Sequence, residues 1–201
     1  MNVLWQYIDE TESCDGDVVI SKYTTKHYVC VADKYPKART HFLLLPRRDT
    51  GLCVDSVDRL TRKNAAQLRD FHAHATRIVE DVVKCSKGSM SSKDVQIGYH
   101  AVPSLRPLHL HIISCDFVSD CMKTKKHWNS FTTNFFMLPS TVESLLSASG
   151  DAACIRTRTS ALKSALKMPL RCHRCLRPQK NMPALKSHIR LGACSKGACV
   201  S

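Results

Sequence analysis

Positions 107–114, PLHLHIIS, alternate between two chemical characters. On a strand, successive side chains point to opposite faces, so His109 and His111 share one face and Leu108, Leu110 and Ile112 the other. The pattern predicts a strand with an aliphatic core face and a polar face lining a pocket. VQIGYHAV predicts a neighbouring strand, joined to the first by the loop 103–107. Upstream, DVVISKY and HYVCVADKY predict two strands with a turn near Thr24 and Lys26, and THFLLLPRR a third, stopped by Pro46. Between Val57 and Lys84 apolar residues such as Leu60, Leu68, Phe71, Ala75 and Ile78 recur at helical spacing, the mark of one long amphipathic helix. Residues 1–8 predict a short helix. TVESLLSAS predicts another, with Ser140 or Thr141 as N-cap and Gly150 just past its end. Residues 151–168 read as a linker with a short helix, SALKSALK. Together these elements predict an α+β fold: a mostly antiparallel five-stranded sheet with a long helix packed on it, plus a small second unit.

At 201 residues and 43% apolar content, the chain supports one domain with a buried core and a small appendix. Charge changes that picture. The net charge is +13, and the segment 151–201 holds eleven Lys/Arg against one acid, so about +10 sits in the last quarter. A polyanion partner such as nucleic acid fits this asymmetry, as does a solvated basic surface. The eleven cysteines are dispersed rather than framework-like. The opening MNVLWQYIDETESCDGD is acidic and lacks the apolar run of a secretory signal, and no stretch reaches membrane-span length. A reducing compartment with mostly free thiols and no membrane partner is the expectation.

The second unit carries metal chemistry. Cys172, Cys175, His188 and Cys194 form C-x2-C-x12-H-x5-C. Zinc takes four borderline or soft ligands at tetrahedral angles, which a C-x2-C knuckle and a helix-borne His supply. So short a unit would draw most of its folding energy from the metal. Cys199 competes with Cys194 for the fourth place. His173, inside the knuckle, is expected at the surface, and Leu176 and Leu185 in a miniature core. Arg171, Arg174, Arg177, Lys180, Lys186 and Arg190 suggest a module that contacts DNA phosphates without reading bases.

In the first unit, spacing alone leaves His109 and His111 open to three roles: catalysis, metal binding and structure. The surrounding motifs narrow this. PLHLHII resembles the histidine-triad signature His-φ-His-φ-His-φ-φ of nucleotide hydrolases and transferases. ADKYPKARTHFLLLP is similar to the nucleotide-cradling strand pair of that superfamily. GYHAVPS, LHLHIISCDF, KKHWNSF, PLRCHRC and the finger, in this order, resemble the aprataxin family from about Val18 to Cys194. That family joins a histidine-triad domain to a zinc finger and removes AMP from adenylated DNA 5′ ends.

The resemblance implies a role for each matching residue. His109 would be the nucleophile on the AMP phosphorus, with His111 on the phosphate and His100 near phosphate and leaving group. Ser104 would lie beside the phosphate and Lys126 would hold it. Asp33 would bind the ribose hydroxyls and His41 would buttress the nucleophile. Lys37 and Arg39 fall in a matching basic turn. The first triad position is Pro107, a departure that leaves His41 or a water to fill that role. Trp5, then Tyr7, would stack on a DNA end from an amino-terminal helix; anchoring that helix to the core is an equal reading of Trp5. Trp128 is expected in the core, packing the lysine segment.

The implied reaction forms a covalent AMP–histidine that water releases, with structural zinc in the finger and no catalytic metal. The implied partners are nicked or broken DNA bearing 5′-AMP, and AMP itself, for a monomeric nuclear protein. The resemblance further implies a chain without a fork-head-associated domain. The expected organisation is 1–16 as wedge helix, 17–150 as catalytic domain, 151–168 as linker and 169–201 as finger and basic tail. Two other functions compete: a catalytically impaired DNA-end binder, and a hydrolase of AMP-lysine or dinucleoside polyphosphates.

Overall fold

The computed structural model describes residues 4–9 and 18–191. Five antiparallel strands form one sheet in the order β1-β2-β4-β3-β5. They are β1 (Tyr28–Ala32), β2 (His41–Pro46), β3 (Val95–His100), β4 (Leu110–Ser114) and β5 (Phe136–Met137). The period-2 alternation divides the sheet's two faces. One face, with Leu44, Tyr99, Leu110 and Ile112, packs under α2 (Ala65–Cys85) and α4 (Pro139–Ser149). On the other face, Val29, Val31, Leu43 and Leu45 take Leu4 and Ile8 of α1 (Trp5–Asp9). Farther along that face, Ile113 and Phe136 join Trp128 and Phe131 of α3 (Lys125–Thr132). The histidines lie between these two apolar patches. Register sets His111 against Leu43 on one side and Gly98 on the other.

The expected α+β architecture is present, with three differences of detail. DVVISKY is not a strand: it makes one bridge, Val19 to Val31, then a 3-10 turn at Ser21–Tyr23. Lys22 and the Tyr23 hydroxyl both bind Asp81 of α2, at 2.5 and 2.6 Å, which draws the chain off the sheet edge onto the helix. The fifth strand is Phe136–Met137 instead, too short for any periodicity to reveal. α2 begins at Ala65 rather than near Val57, because Thr61 and Asn64 cap each other reciprocally just before it. α4 starts on Pro139 with Leu138 at the N-cap, so Ser140 and Thr141 lie inside it; Gly150, at φ 83, closes it in the left-handed region as expected.

Residues 151–168 are packed structure rather than linker. They form α5 (Cys154–Thr157) and α6 (Thr159–Ala165), with Ala152, Ile155 and Ala165 buried. The finger helix α7 (Met182–Arg190) starts from Asn181, whose side chain accepts the Ala184 N–H at 2.9 Å. Its apolar stripe Met182, Leu185 and Ile189 buries, with Leu170, against Phe117 and Trp128 of the main body. The finger therefore shares a core with the first unit. Two sequence expectations fail here. Leu176 is 55% exposed, at the left-handed turn of the knuckle, so only Leu185 serves the core. His173 is buried, not at the surface: its Nε2–H donates to the Cys115 carbonyl at 2.9 Å, and its ring meets Phe117 and Trp128 edge-on. Among the described residues, no helix is long and apolar enough to cross a membrane.

Candidate active site

A cleft of about 790 Å³ opens on the histidine face. Its walls include Asp33, Lys37, His41, His100, Ser104, His109, His111 and Lys126, which places all seven first-unit residues assigned to catalysis or AMP, and Lys37, in one site. β2 contributes His41, β3 ends on His100, β4 and the residue before it carry His111 and His109, and α3 brings Lys126. Thr124 caps α3 by accepting the His127 N–H, which fixes where Lys126 leaves the helix.

The imidazoles form one connected array. His100 lies 4.4 Å from His111, His109 5.0 Å and His41 5.2 Å, ring centre to ring centre. Their hydrogen bonds assign the protons. His109 Nδ1–H donates to the Pro107 carbonyl at 2.9 Å, so its Nε2 keeps the lone pair. His41 Nδ1 accepts the Lys37 N–H at 3.2 Å, so its Nε2–H donates to His111 Nδ1 at 3.0 Å. His111 must then carry its own proton on Nε2. That Nε2 and His100 Nε2 are buried and have no partner within the described residues. The buried His111 Nε2–H without a partner, beside the directed lone pair of His109, suits an anion at an electrophilic centre, whereas His100 donates through its other ring nitrogen to the Ser130 carbonyl and keeps a lone pair on Nε2.

Burial keeps the array neutral. It pushes His41 down to about 4 and His100 down to about 3, and it lowers His109 and His111 as well. Charged neighbours oppose or add to burial but do not reverse it. Asp33 stands at the mouth, 3.6 Å from His41 Nδ1, with its other oxygen accepting the Tyr35 N–H. Ligand atoms of Asp33, His41 and His111 lie within 4.8 Å of one another, as a metal site would need. The facing nitrogens of the two histidines, however, are spent on each other.

The finger presents a second constellation. Cys172, Cys175 and His188 offer ligand atoms within 4.8 Å of one another, with Cys175 Sγ 3.2 Å from His188 Nε2. Two thiols and an imidazole at that spacing fit neighbouring corners of a zinc tetrahedron, whose bonds are about 2.3 Å to sulfur and 2.0 Å to nitrogen. Cys194 and its competitor Cys199 lie outside the described residues. Of the basic residues expected on DNA, Lys186 Nζ donates to the Ser119 carbonyl at 2.8 Å and Arg174 reaches the Cys115 carbonyl. Arg171 bends back to Leu176 O, while its own carbonyl accepts Trp128 Nε1–H at 2.9 Å. These groups dock the finger. Trp5 is half-buried on β2, with the Arg48 guanidinium 4.7 Å over its ring, and it is not part of the cleft wall.

Comparison with known proteins agrees with this geometry. A family model described as the C-terminal binding region of the scavenger mRNA decapping enzyme matches residues 5–127. A second, for C2HE / C2H2 / C2HC zinc-binding fingers, matches residues 132–191. An aprataxin-like protein of Saccharomyces cerevisiae is 30% identical over 67% of this chain and 70% of its own. The chain belongs to the aprataxin family. Aprataxin of Ciona intestinalis is 38% identical over 87% of this chain, and aprataxin of Gallus gallus 37% over the same share. The chain spans about half the length of these curated aprataxins, 42% and 51%. A crystal structure of the aprataxin ortholog Hnt3 in complex with DNA superposes with a TM-score of 0.73 at 26% identity, over 94% of this chain and 92% of that one.

Two features of this aprataxin site are missed by sequence reasoning. The first is the Pro107 carbonyl, which orients His109 although the Pro107 side chain offers no hydrogen bond. The second is the far wall of the cleft, made by Lys163, Leu166 and Lys167. The i, i+3, i+4 spacing of those three residues is the signal that marks them as one helical stripe.

Proposed function

We propose that this chain is a DNA 5′-adenylate hydrolase that clears AMP from ends left by abortive ligation. The observation that carries the proposal is the His109 tautomer, Nδ1–H on Pro107 O and Nε2 lone pair on the cleft, beside the unpartnered Nε2 groups of His100 and His111. The Nε2 lone pair attacks the AMP phosphorus. The phosphoanhydride P–O bond breaks and the DNA 5′-phosphate leaves with the electron pair. Water then attacks the same phosphorus, the P–N bond breaks with its electron pair returning to His109 Nε2, and the water's proton goes to solvent, giving AMP. A neutral nucleophile avoids repulsion by the phosphate oxygens. The His111 Nε2–H, with Lys126 and Ser104, meets the equatorial oxygens, the main catalytic contribution in phosphoryl-type transfer, and His100 stands beside the leaving group. No metal has a step in this scheme; zinc is structural, in the finger. Asp33 is assigned to the ribose hydroxyls. A monomer acting on nicked or broken DNA in the nucleus belongs to the same reading.

The likeness to Hnt3 in complex with DNA and the +13 net charge support a nucleic-acid substrate over a free small molecule. Pro107 would favour an inactive end-binder if the missing first histidine were the group that orients His109, but the 107 carbonyl makes that bond. The test uses a nicked duplex carrying 5′-AMP, with wild type and His109→Ala side by side and no added metal. We expect wild type to yield 5′-phosphate and the variant to lose at least ~10³-fold, as nucleophile deletions do. Binding without release of AMP would overturn the proposal.

A further inference from the structure

We propose that Lys163 and Lys167 form a subsite for the second phosphate of the substrate, the one that leaves on the DNA strand. This deepens the adenylate-hydrolase reading and rests on it. An adenylated end holds two phosphates. His109, His111, Lys126 and Ser104 are assigned to the one that stays with adenosine; of the residues assigned so far only His100 stands near the other, and no cation meets it.

The fold fixes where α6 points. Its Ala161 and Leu162 line a separate apolar cavity of about 520 Å³, and Ala165 is buried. Lys163 of α6, with Leu166 and Lys167 in the turn that follows it, lines the histidine cleft, and both lysines are exposed. The stripe is clamped from the catalytic side. Asn129 of α3, only 2% exposed, donates through Nδ2 to the carbonyls of Leu166 and Met168, at 3.2 and 2.8 Å. Asn129 lies one turn after Lys126, so the same helix sets the Lys126 position and the α6 wall.

Charge completes the argument. Asp33 is the sole acid on the described wall, against Lys37, Lys126, Lys163 and Lys167. The Lys37 ammonium is held by the Tyr35 carbonyl. Lys163 and Lys167 hold no ion pair or hydrogen bond through their ammonium groups among the described residues. Cations there stabilise the charge that accumulates on a departing phosphate. An AMP joined to an amine lacks that phosphate, so the pair would select pyrophosphate substrates over AMP-amines.

The experiment compares wild type with the double variant Lys163→Gln/Lys167→Gln. A second double variant, Lys63→Gln/Lys84→Gln, removes the same charge beside α2 on the other face of the sheet. First, kcat/KM is measured on an adenylated nicked duplex and on an AMP–lysine phosphoramidate. The ratio between the two should fall at least tenfold in the cleft variant and hold in the distant one. Second, affinity for a 5′-phosphorylated nicked duplex is measured against affinity for AMP, with no turnover needed; the duplex should weaken about tenfold more than AMP. Equal losses on both ligands, or equal behaviour of the two variants, overturn the subsite. Wild type inactive on the adenylated duplex would overturn the function reading instead, and the affinity pair would still decide the subsite.

Discussion

His111 and His188 are the same side chain in two clusters of ligand-like groups, and the clusters behave differently. His111 stands among three other imidazoles, all lowered by burial, and its Nδ1 is used by His41. His188 stands beside two thiols, with its Nε2 3.2 Å from sulfur. The first cluster is held in place by strand register and a chain of hydrogen bonds beginning at the Lys37 N–H, with the Nε2 atoms of His100 and His111 left for a ligand. The second is a set of soft donors converging on one point, which a zinc ion would hold together. Histidine's role follows from what occupies its other nitrogen and from what converges beside it, not from the residue itself.

Removing the cation should separate the two most. Cys172→Ser, or chelation, is expected to destabilise the protein by at least ~4 kcal/mol, since metal binding in isolated fingers supplies ~10 kcal/mol or more of folding free energy. The finger should become protease-sensitive while the sheet domain keeps its circular dichroism. An intact finger after chelation would show that the shared core with Phe117 and Trp128 suffices without metal.

Tightness is the next contrast. Gly98 faces His111 across the sheet, and a Cβ there would lie 2.5 Å from the Phe136 ring and 2.7 Å from the Met137 carbonyl. Gly98→Ala should cost up to ~3 kcal/mol in urea unfolding, the scale of core overpacking. It should also weaken AMP binding by shifting β5 against the histidines. A neutral outcome would mean that β5 is free to move.

Acid probes neutrality. An unfolded histidine near 6.5 takes up a proton below that pH, whereas His100, held at about 3 by burial, does not. The unfolded state therefore binds more protons in the window from about 6.5 down to about 3, and stability falls as pH falls. By pH 5 one such histidine removes about 2 kcal/mol. Unfolding of wild type and His100→Asn at pH 7 and pH 5 should show a smaller loss in the variant by about that amount. Zinc release is common to both proteins and cancels in the difference. Equal losses would mean that His100 is wetter than its burial implies.

The sequence shows some of this directly and hides the rest for physical reasons. Alternation in PLHLHIIS and the helical spacing between Val57 and Lys84 report side-chain direction, so both elements and the two-faced sheet are visible, though not the helix start at Ala65. C-x2-C-x12-H was visible because metal geometry restricts spacing. β5 was not, because a two-residue strand has no period, and DVVISKY misled because Asp81, far along the chain, captures Lys22 and Tyr23. α3 did carry a signal in its Thr124 cap and the Trp128–Phe131 spacing. The carbonyls that Arg174 and Lys186 reach are not legible either, because composition reports charge and not the partner that the charge finds. The 107 carbonyl is invisible to any reading of side chains.

The smallest effect tests whether the two regions are coupled at all. Trp128 belongs to the sheet domain, but its Nε1–H donates to Arg171 O, one residue before the first zinc ligand. The bond positions the knuckle on α3, the helix that also carries Lys126. Trp128→Phe keeps most of the buried ring and removes the donor. In zinc-loaded protein it should cost about 1 kcal/mol, the worth of a typical buried hydrogen bond plus an unpaired carbonyl. In zinc-stripped protein the Arg171 carbonyl is no longer held in place, so the same substitution should cost close to nothing beyond lost packing. Denaturant melts of both proteins with and without chelator form a double-perturbation cycle, and the difference is the coupling. An identical cost in both states would place the finger's docking in its apolar stripe alone, and would make the sheet domain indifferent to the metal.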